Sequence, residues 1–316
     1  MKTIIKIFII SICLLLALYQ FIFAKDGIQE KFLQWQDIDR SFLVYTPSNL
    51  EEKSKHPLLV VLHGGGSKAD HMLRFTNNGG FMRIARREKF IVVYPDAVNN
   101  SWNDGRAVNK KSAHIDDVGF ISELIDYMIK NYNIDPTRVY VTGVSNGGFM
   151  SFRFACERGR KIAAIAPVIS QMSEYLVQNT SPEVSMPVLL MNGTMDPLVP
   201  YNGGQVMVLG KARGSVLSTE DSINYWVKHN QCKTKPIVKK LQEKSKKDNC
   251  YIVKHTYTGG ENSSQVVLYE VVGGGHTWPG GRQYLPVKMI GPVNKDADAA
   301  ELIWDFLKNF HNSPRF

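Results

Sequence analysis

Apolar runs rich in valine and isoleucine recur along this chain, separated by longer stretches whose apolar residues repeat every three or four positions. Residues 40–45, 58–62, 90–94, 138–142, 162–167, 188–191 and 266–272 show little polar alternation, the pattern of strands covered on both faces. Helical periodicity falls at 69–89, 116–131, 146–158, 216–229 and 296–310. Val118, Ile121, Ile125 and Met128 make one core-facing stripe, and Ala299, Ile303, Phe306 and Phe310 make another. Strands alternating with helices predict an α/β fold: a mostly parallel central sheet with helices on both faces. In such sheets functional groups gather where strands end and loops begin.

The first residues are set apart from this pattern. A short basic start with Lys2 and Lys6 leads into an apolar run from Ile7 to Phe23, and charge resumes at Lys25. This is the composition of a secretory signal peptide ending at Ala24, so residues 1–24 are excluded from the fold. An uncleaved anchor is the alternative, because Ile22 is larger than the usual residue there. The remainder, 25–316, has no Pro/Ser-rich linker, repeat or low-complexity tract and reads as one catalytic-size domain.

The formal charge is +9, and seven lysines crowd between Lys233 and Lys247. A solvated surface loop is the expected structure there. Attraction to an anionic polymer is the alternative. No aromatic residues interleave with these lysines, so a nucleic-acid partner is not expected. Beyond the leader there are three cysteines, Cys156, Cys232 and Cys250. Export would permit a disulfide; a Cys232–Cys250 bridge would flank the basic stretch and add about 3 kcal/mol in the chain-entropy picture, although spacing alone leaves the connectivity open.

Candidate chemistry sits at the strand ends. Gly143-Val144-Ser145-Asn146-Gly147-Gly148 lies between a strand pattern and a helix pattern, the context of a G-x-S-x-G nucleophile elbow. A serine hydroxyl needs a base within reach and a third group to orient that base. His276 follows the 266–272 strand across Gly273-Gly274-Gly275, a run expected to be flexible enough for the imidazole to swing onto the serine. His229 and His311 end helical stretches, and His255 lies in a polar strand-like segment. Asp196 directly follows the 188–191 strand, whereas Asp221 suits a helix start and Asp248 lies among lysines. The order Ser145, Asp196, His276 is that of α/β-hydrolases. His63-Gly64-Gly65-Gly66, after the 58–62 strand, supplies a loop whose amides can meet an oxyanion. Gly65 N–H is the favoured donor, with Gly64 as an alternative and Asn146 N–H as the second. His63 is expected to brace the loop. The glycine run lacks the lysine and hydroxyl of a phosphate-binding loop. Trp278, beyond the base, and Trp102 are candidate substrate contacts. This chemistry calls for no metal and no cofactor.

The stretches Leu62-His63-Gly64-Gly65-Gly66, Tyr94-Pro95-Asp96, Ser101-Trp102-Asn103, Asp116-Asp117-Val118-Gly119-Phe120-Ile121, Val141 to Gly148, Asn192 to Tyr201 and Gly273 to Gly281 resemble the secreted polyhydroxybutyrate depolymerase-like esterases, a lineage that includes feruloyl and acetylxylan esterases. The resemblance implies an α/β-hydrolase fold, Ser145, Asp196 and His276 as the catalytic triad, and a Cys232–Cys250 disulfide. Gly65 stands where some relatives carry a cysteine, and no polymer-binding domain is expected after the catalytic part. The expectation is therefore a secreted or periplasmic serine esterase acting on polyester oligomers or on feruloyl or acetyl esters of polysaccharide. Short connections between the late strands are expected to leave a shallow, open site without a large lid. A prolyl oligopeptidase-type peptidase and a non-catalytic binding module are the competing readings.

Overall fold

The computed structural model describes residues 27–106 and 114–312; the leader assigned to 1–24 lies outside the described residues. Ten strands form one sheet. Its middle is parallel and runs in the order β4 (Ile91–Pro95), β3 (His56–Leu62), β5 (Ile134–Val144), β6 (Ala164–Val168), β7 (Val188–Gly193) and β12 (Val266–Val272). β1 (Ile28–Trp35) and β2 (Ile38–Tyr45) add antiparallel at one end. β11 (Tyr251–Tyr257) and β10 (Ile237–Lys240) add antiparallel at the other. A separate hairpin pairs β8 (Gly204–Val208) with β9 (Lys211–Val216).

Alternate side chains of one strand divide between two cores, as the two-residue period of a strand requires. Leu58, Val60 and Leu62 join a layer with α3 (Asp117–Asn131), α4 (Asn146–Arg158) and α6 (Thr219–His229). Leu59 and Val61 join the opposite layer with α1 (Ala69–Phe75), α2 (Gly80–Glu88) and α8 (Ala299–Leu307). The smaller helices are α5 (Glu174–Asn179) and α7 (Val287–Ile290).

Several expectations are corrected. The helix expected over 69–89 is two, because Asn77, Asn78 and Gly79 adopt left-handed φ of 56°, 51° and 81° and turn the chain between them. Asparagine and glycine tolerate that region best. Part of the expected basic loop at 233–247 is strand β10, β1, β8 and β9 add further strands the sequence pattern did not show, and the strand-like segment around His255 is β11. The late connections are not short: residues 194–218 carry the β8–β9 hairpin and 273–298 form a long segment, and both wall the site described below.

The expected Cys232–Cys250 disulfide is absent; both thiols are free and buried, as is Cys156. The two cysteines sit at opposite ends of β11. Lys233 N–H binds Thr258 O just past one end, and Cys250 precedes Tyr251, paired with Val272, at the other. A seven-residue strand rises roughly 20 Å, far beyond the reach of a disulfide.

One buried ion pair ties β2 to the start of α3. Arg40 donates to Asp117 at 2.7 Å, and both are buried. The guanidinium lies 3.8 Å over the Phe120 ring and also donates to Asp96 O. Burial lowers the Arg40 pKa and raises that of Asp117, and their mutual attraction opposes both shifts. Removing one partner strands a buried charge. Asp117→Ala is expected to lower the unfolding free energy by about 3–5 kcal/mol, read from urea midpoints; an unshifted midpoint would contradict this. A second check concerns the cysteines. Peptide mapping after alkylation in denaturant without reductant should find Cys156, Cys232 and Cys250 all modified, and a linked Cys232–Cys250 peptide would refute the geometry.

Candidate active site

The site is built where β5 ends and α4 begins. Ser145 has φ 51° and ψ −117°, a region that costs a non-glycine residue energy and persists only where the surroundings enforce it. The enforcement is close backbone crossing. A Cβ on Gly143 would lie 2.5 Å from the Gly147 carbonyl, and one on Gly147 would lie 2.4 Å from Leu62 O and 2.6 Å from His63 O. Ser145 N–H donates to Val168 O at 2.9 Å, which anchors the turn to β6. The elbow and the His63–Gly66 loop are thus pressed together.

His276 and Asp196 meet from two different loops. His276 Nδ1 lies 2.6 Å from Asp196 Oδ2, and both side chains are almost fully buried. A carboxylate only accepts, so Nδ1 carries the proton and Nε2 holds the free lone pair. The other carboxylate oxygen accepts from the Leu198 and Val199 amides at 2.8 and 2.9 Å, which fixes Asp196 from behind. His276 N–H donates to Ile290 O, and its carbonyl accepts from the Tyr284 hydroxyl. The expected flexibility of Gly273–Gly275 is corrected: a Cβ on Gly275 would lie 2.0 Å from Ile290 O, and one on Gly193 would lie 2.4 Å from Gly274 O. These glycines are required for tight packing of the β7 and β12 ends, not for swing.

Ser145 and His276 line one cavity of about 940 Å³, together with Gly64, Gly65, Asn146 and Trp102. In the His63–Gly66 loop, Gly66 N–H is taken by Asn100 O. Gly65 N–H has no acceptor among the described residues, and the Asn146 N–H opens α4, where the helix dipole favours negative charge. His63 braces the loop as expected. Its Nε2 accepts from Ala97 N–H, so Nδ1 is the protonated nitrogen, and it donates to Gly64 O at 2.8 Å. Burial lowers its pKa, which keeps it neutral.

The two tryptophans differ. Trp102 is in the cavity wall, and its indole N–H donates to His63 O. Trp278 is corrected as a substrate contact: it is fully buried, packs edge-on against Phe75 and Phe81, and is not part of the cavity lining.

Sequence reasoning missed the clamp behind the elbow. The Asn146 side chain accepts from Trp102 N–H and donates to Trp102 O and to Asp104 Oδ2 at 2.6 Å. Asp104 is ion-paired with Arg106 at 2.6 Å. Arg106 stacks 4.0 Å over Phe149 and donates to Arg213 O on β9. A run of polar residues in an irregular segment carries no periodic signal, so only the adjacency of Asp104 to the Ser101-Trp102-Asn103 motif hinted at it. Asn192, at the end of β7, binds both backbone groups of Ser170 and the Thr219 hydroxyl.

An elbow serine, a carboxylate-bound imidazole and a glycine loop at the carboxyl edge of a parallel sheet define a hydrolase of the α/β-hydrolase class. The chain belongs to the phospholipase/carboxylesterase family, whose profile matches residues 49–234, more than half of the sequence. Its enzymatic class is that of the carboxylic-ester hydrolases. It is 27% identical over 262 residues to NocK of Nocardia uniformis subsp. tsuyamanensis, a protein that bears an esterase name; the match covers 79% of this chain and 74% of NocK. It is 25% identical over 273 residues to feruloyl esterase B of Piromyces equi, covering 86% of this chain and 45% of that protein. The chain thus spans under half the length of that relative. The solved structure of an acetyl xylan esterase from Aspergillus awamori superposes with a TM-score of 0.54 at 12% identity, over 89% of this chain and 98% of that one, which shows the shared fold.

The clamp yields a prediction. Asp104→Ala frees the Asn146 amide and leaves Arg106 without its carboxylate, so the amide edge of the elbow loses its support. Ester turnover should fall by about 10- to 100-fold, the scale of a small misplacement at a reacting centre, mainly in kcat, with Asp104→Asn restoring part of it. Equal kcat for Asp104→Ala and wild type in steady-state assays would refute the assignment.

Proposed function

We propose that this protein hydrolyses carboxylic esters through an acyl-enzyme formed on Ser145. The observation that carries the reading is the 2.6 Å bond from His276 to Asp196 at the wall of the cavity that also holds the strained Ser145. In this mechanism Ser145 Oγ attacks the ester carbonyl and His276 Nε2 takes the hydroxyl proton. Asp196 holds the imidazole orientation and stabilises its charged form. The Gly65 and Asn146 amides receive the developing oxyanion. The alcohol leaves with the proton from His276, and water then repeats the attack on the acyl group. The residues do all of this without a metal or a cofactor.

The cavity volume supports an acyl or alcohol group larger than acetyl, which fits feruloyl esters of polysaccharide or oligomers of a hydroxy acid better than simple acetates. The basic-then-apolar residues 1–24 support export to the periplasm or the medium. A panel of feruloyl, acetyl and hydroxybutyrate oligomer esters, assayed side by side, ranks these substrates.

Ser145→Ala should abolish labelling by a fluorophosphonate probe and lower kcat by about 10⁴-fold or more, with Asp196→Asn close behind. Near-wild-type esterase activity in Ser145→Ala would end the proposal.

A further inference from the structure

Charge inside the cavity is unevenly distributed. Four arginines line it, Arg74, Arg106, Arg213 and Arg282, against one carboxylate, Asp104. Asp70 neutralises Arg74 from outside the lining, and Asp104 neutralises Arg106. Arg213 and Arg282 have no carboxylate or carbonyl acceptor among the described residues. They come from different segments: half-buried Arg213 from β9 of the hairpin, and exposed Arg282 from the long segment after His276. Much of the remaining lining is apolar, with Phe75, Ile169, Leu198, Val206, Leu285 and Met289 among it.

A guanidinium without a partner is solvated at little cost when the site is open, and it gains a charge-assisted hydrogen bond when an anion arrives. Carboxylate geometry matches the guanidinium fork. A largely apolar cavity with the serine and two unmatched arginines in its lining is complementary to one kind of ester: an apolar chain that carries a carboxylate some distance from the scissile bond. We propose that Arg213 and Arg282 form an anion subsite that selects esters bearing a free carboxylate, as at the acid end of a hydroxy-acid oligoester or on a dicarboxylic half-ester. This rests on the esterase reading above and deepens it to a substrate class.

The test compares 4-nitrophenyl hydrogen octanedioate with 4-nitrophenyl octanoate, which differ in the terminal carboxylate. In Arg213→Gln/Arg282→Gln the ratio of kcat/KM for the charged over the neutral ester should fall about tenfold, through KM, the scale of a lost charge-assisted contact. Added salt should lower the same ratio in the wild type. Lys211→Gln, an exposed cation on the same hairpin outside the cavity lining, should leave it unchanged. A binding measurement separates this proposal from the catalytic one. In the Ser145→Ala background, calorimetry with the charged ester should show about tenfold weaker affinity when both arginines are replaced. If both esters turn over and the ratio ignores the arginines, the anion subsite is wrong and the esterase reading stands. If neither ester turns over yet binding weakens with the arginines, the subsite stands and the esterase reading fails. If Lys211→Gln lowers the ratio as much as the double variant, the preference comes from the general positive field and the proposal falls.

Discussion

The close crossing of the elbow over the oxyanion loop is the constraint from which the rest of the site follows. Gly147 passes within a carbon's width of the Leu62 and His63 carbonyls, and Gly143 meets Gly147 in turn. No side chain fits at either crossing. With those contacts made, the chain has no route from β5 to α4 except through a left-handed serine, and the hydroxyl is lifted out of the sheet edge. The same approach brings Gly65 beside Asn146. The proposed nucleophile Ser145 and the proposed oxyanion donors, the Gly65 and Asn146 amides, are therefore set by one packing event between two loops, and the strain at Ser145 is balanced by the anchoring of its amide on β6.

A second layer makes that geometry durable. Asn146 is held by Trp102 and Asp104, Trp102 reaches His63, and His63 reaches Ala97. Asp117 accepts from Asn103 N–H while paired with Arg40. The segment from Ser101 to Arg106 is thus fastened along its length by polar contacts with partners on α3, α4 and β9. Buried polar groups are costly unless fully partnered, so such a chain of bonds favours one arrangement over many. Arg40 Nε and Nη1 lack acceptors, and its stacking on Phe120 covers part of that deficit.

Much of this was legible in the sequence. The buried parallel strands advertise themselves as unbroken Val/Ile runs, and strands 58–62 and 266–272 begin or end within two residues of expectation. The order Ser145, Asp196, His276 names residues that line or border one cavity edge, because each lies within four residues of a strand end. What stayed hidden depends on contacts between distant segments. β1 and β11 have mixed burial and β10 is exposed throughout, so the side chains of these edge or near-edge strands carry no clean period. The break at Asn77–Gly79 is a local turn inside an otherwise amphipathic stretch. Trp278 was misread because proximity to His276 in sequence says nothing about which way an indole points; its ring turns into the layer beneath α1 and α2. The Cys232–Cys250 bridge that the resemblance implied fails because the two residues lie at opposite ends of β11.

The outermost strand, β10, has its own meaning. Ile237 and Val238 are exposed, and Lys239 and Lys240 follow them on a row of backbone groups with no further neighbour. An unprotected apolar edge invites a strand from another molecule. Here every approaching copy would bring its own lysines against these, and like charges at strand spacing repel. The surplus of lysine in this region then acts as a fence against sheet extension along this edge.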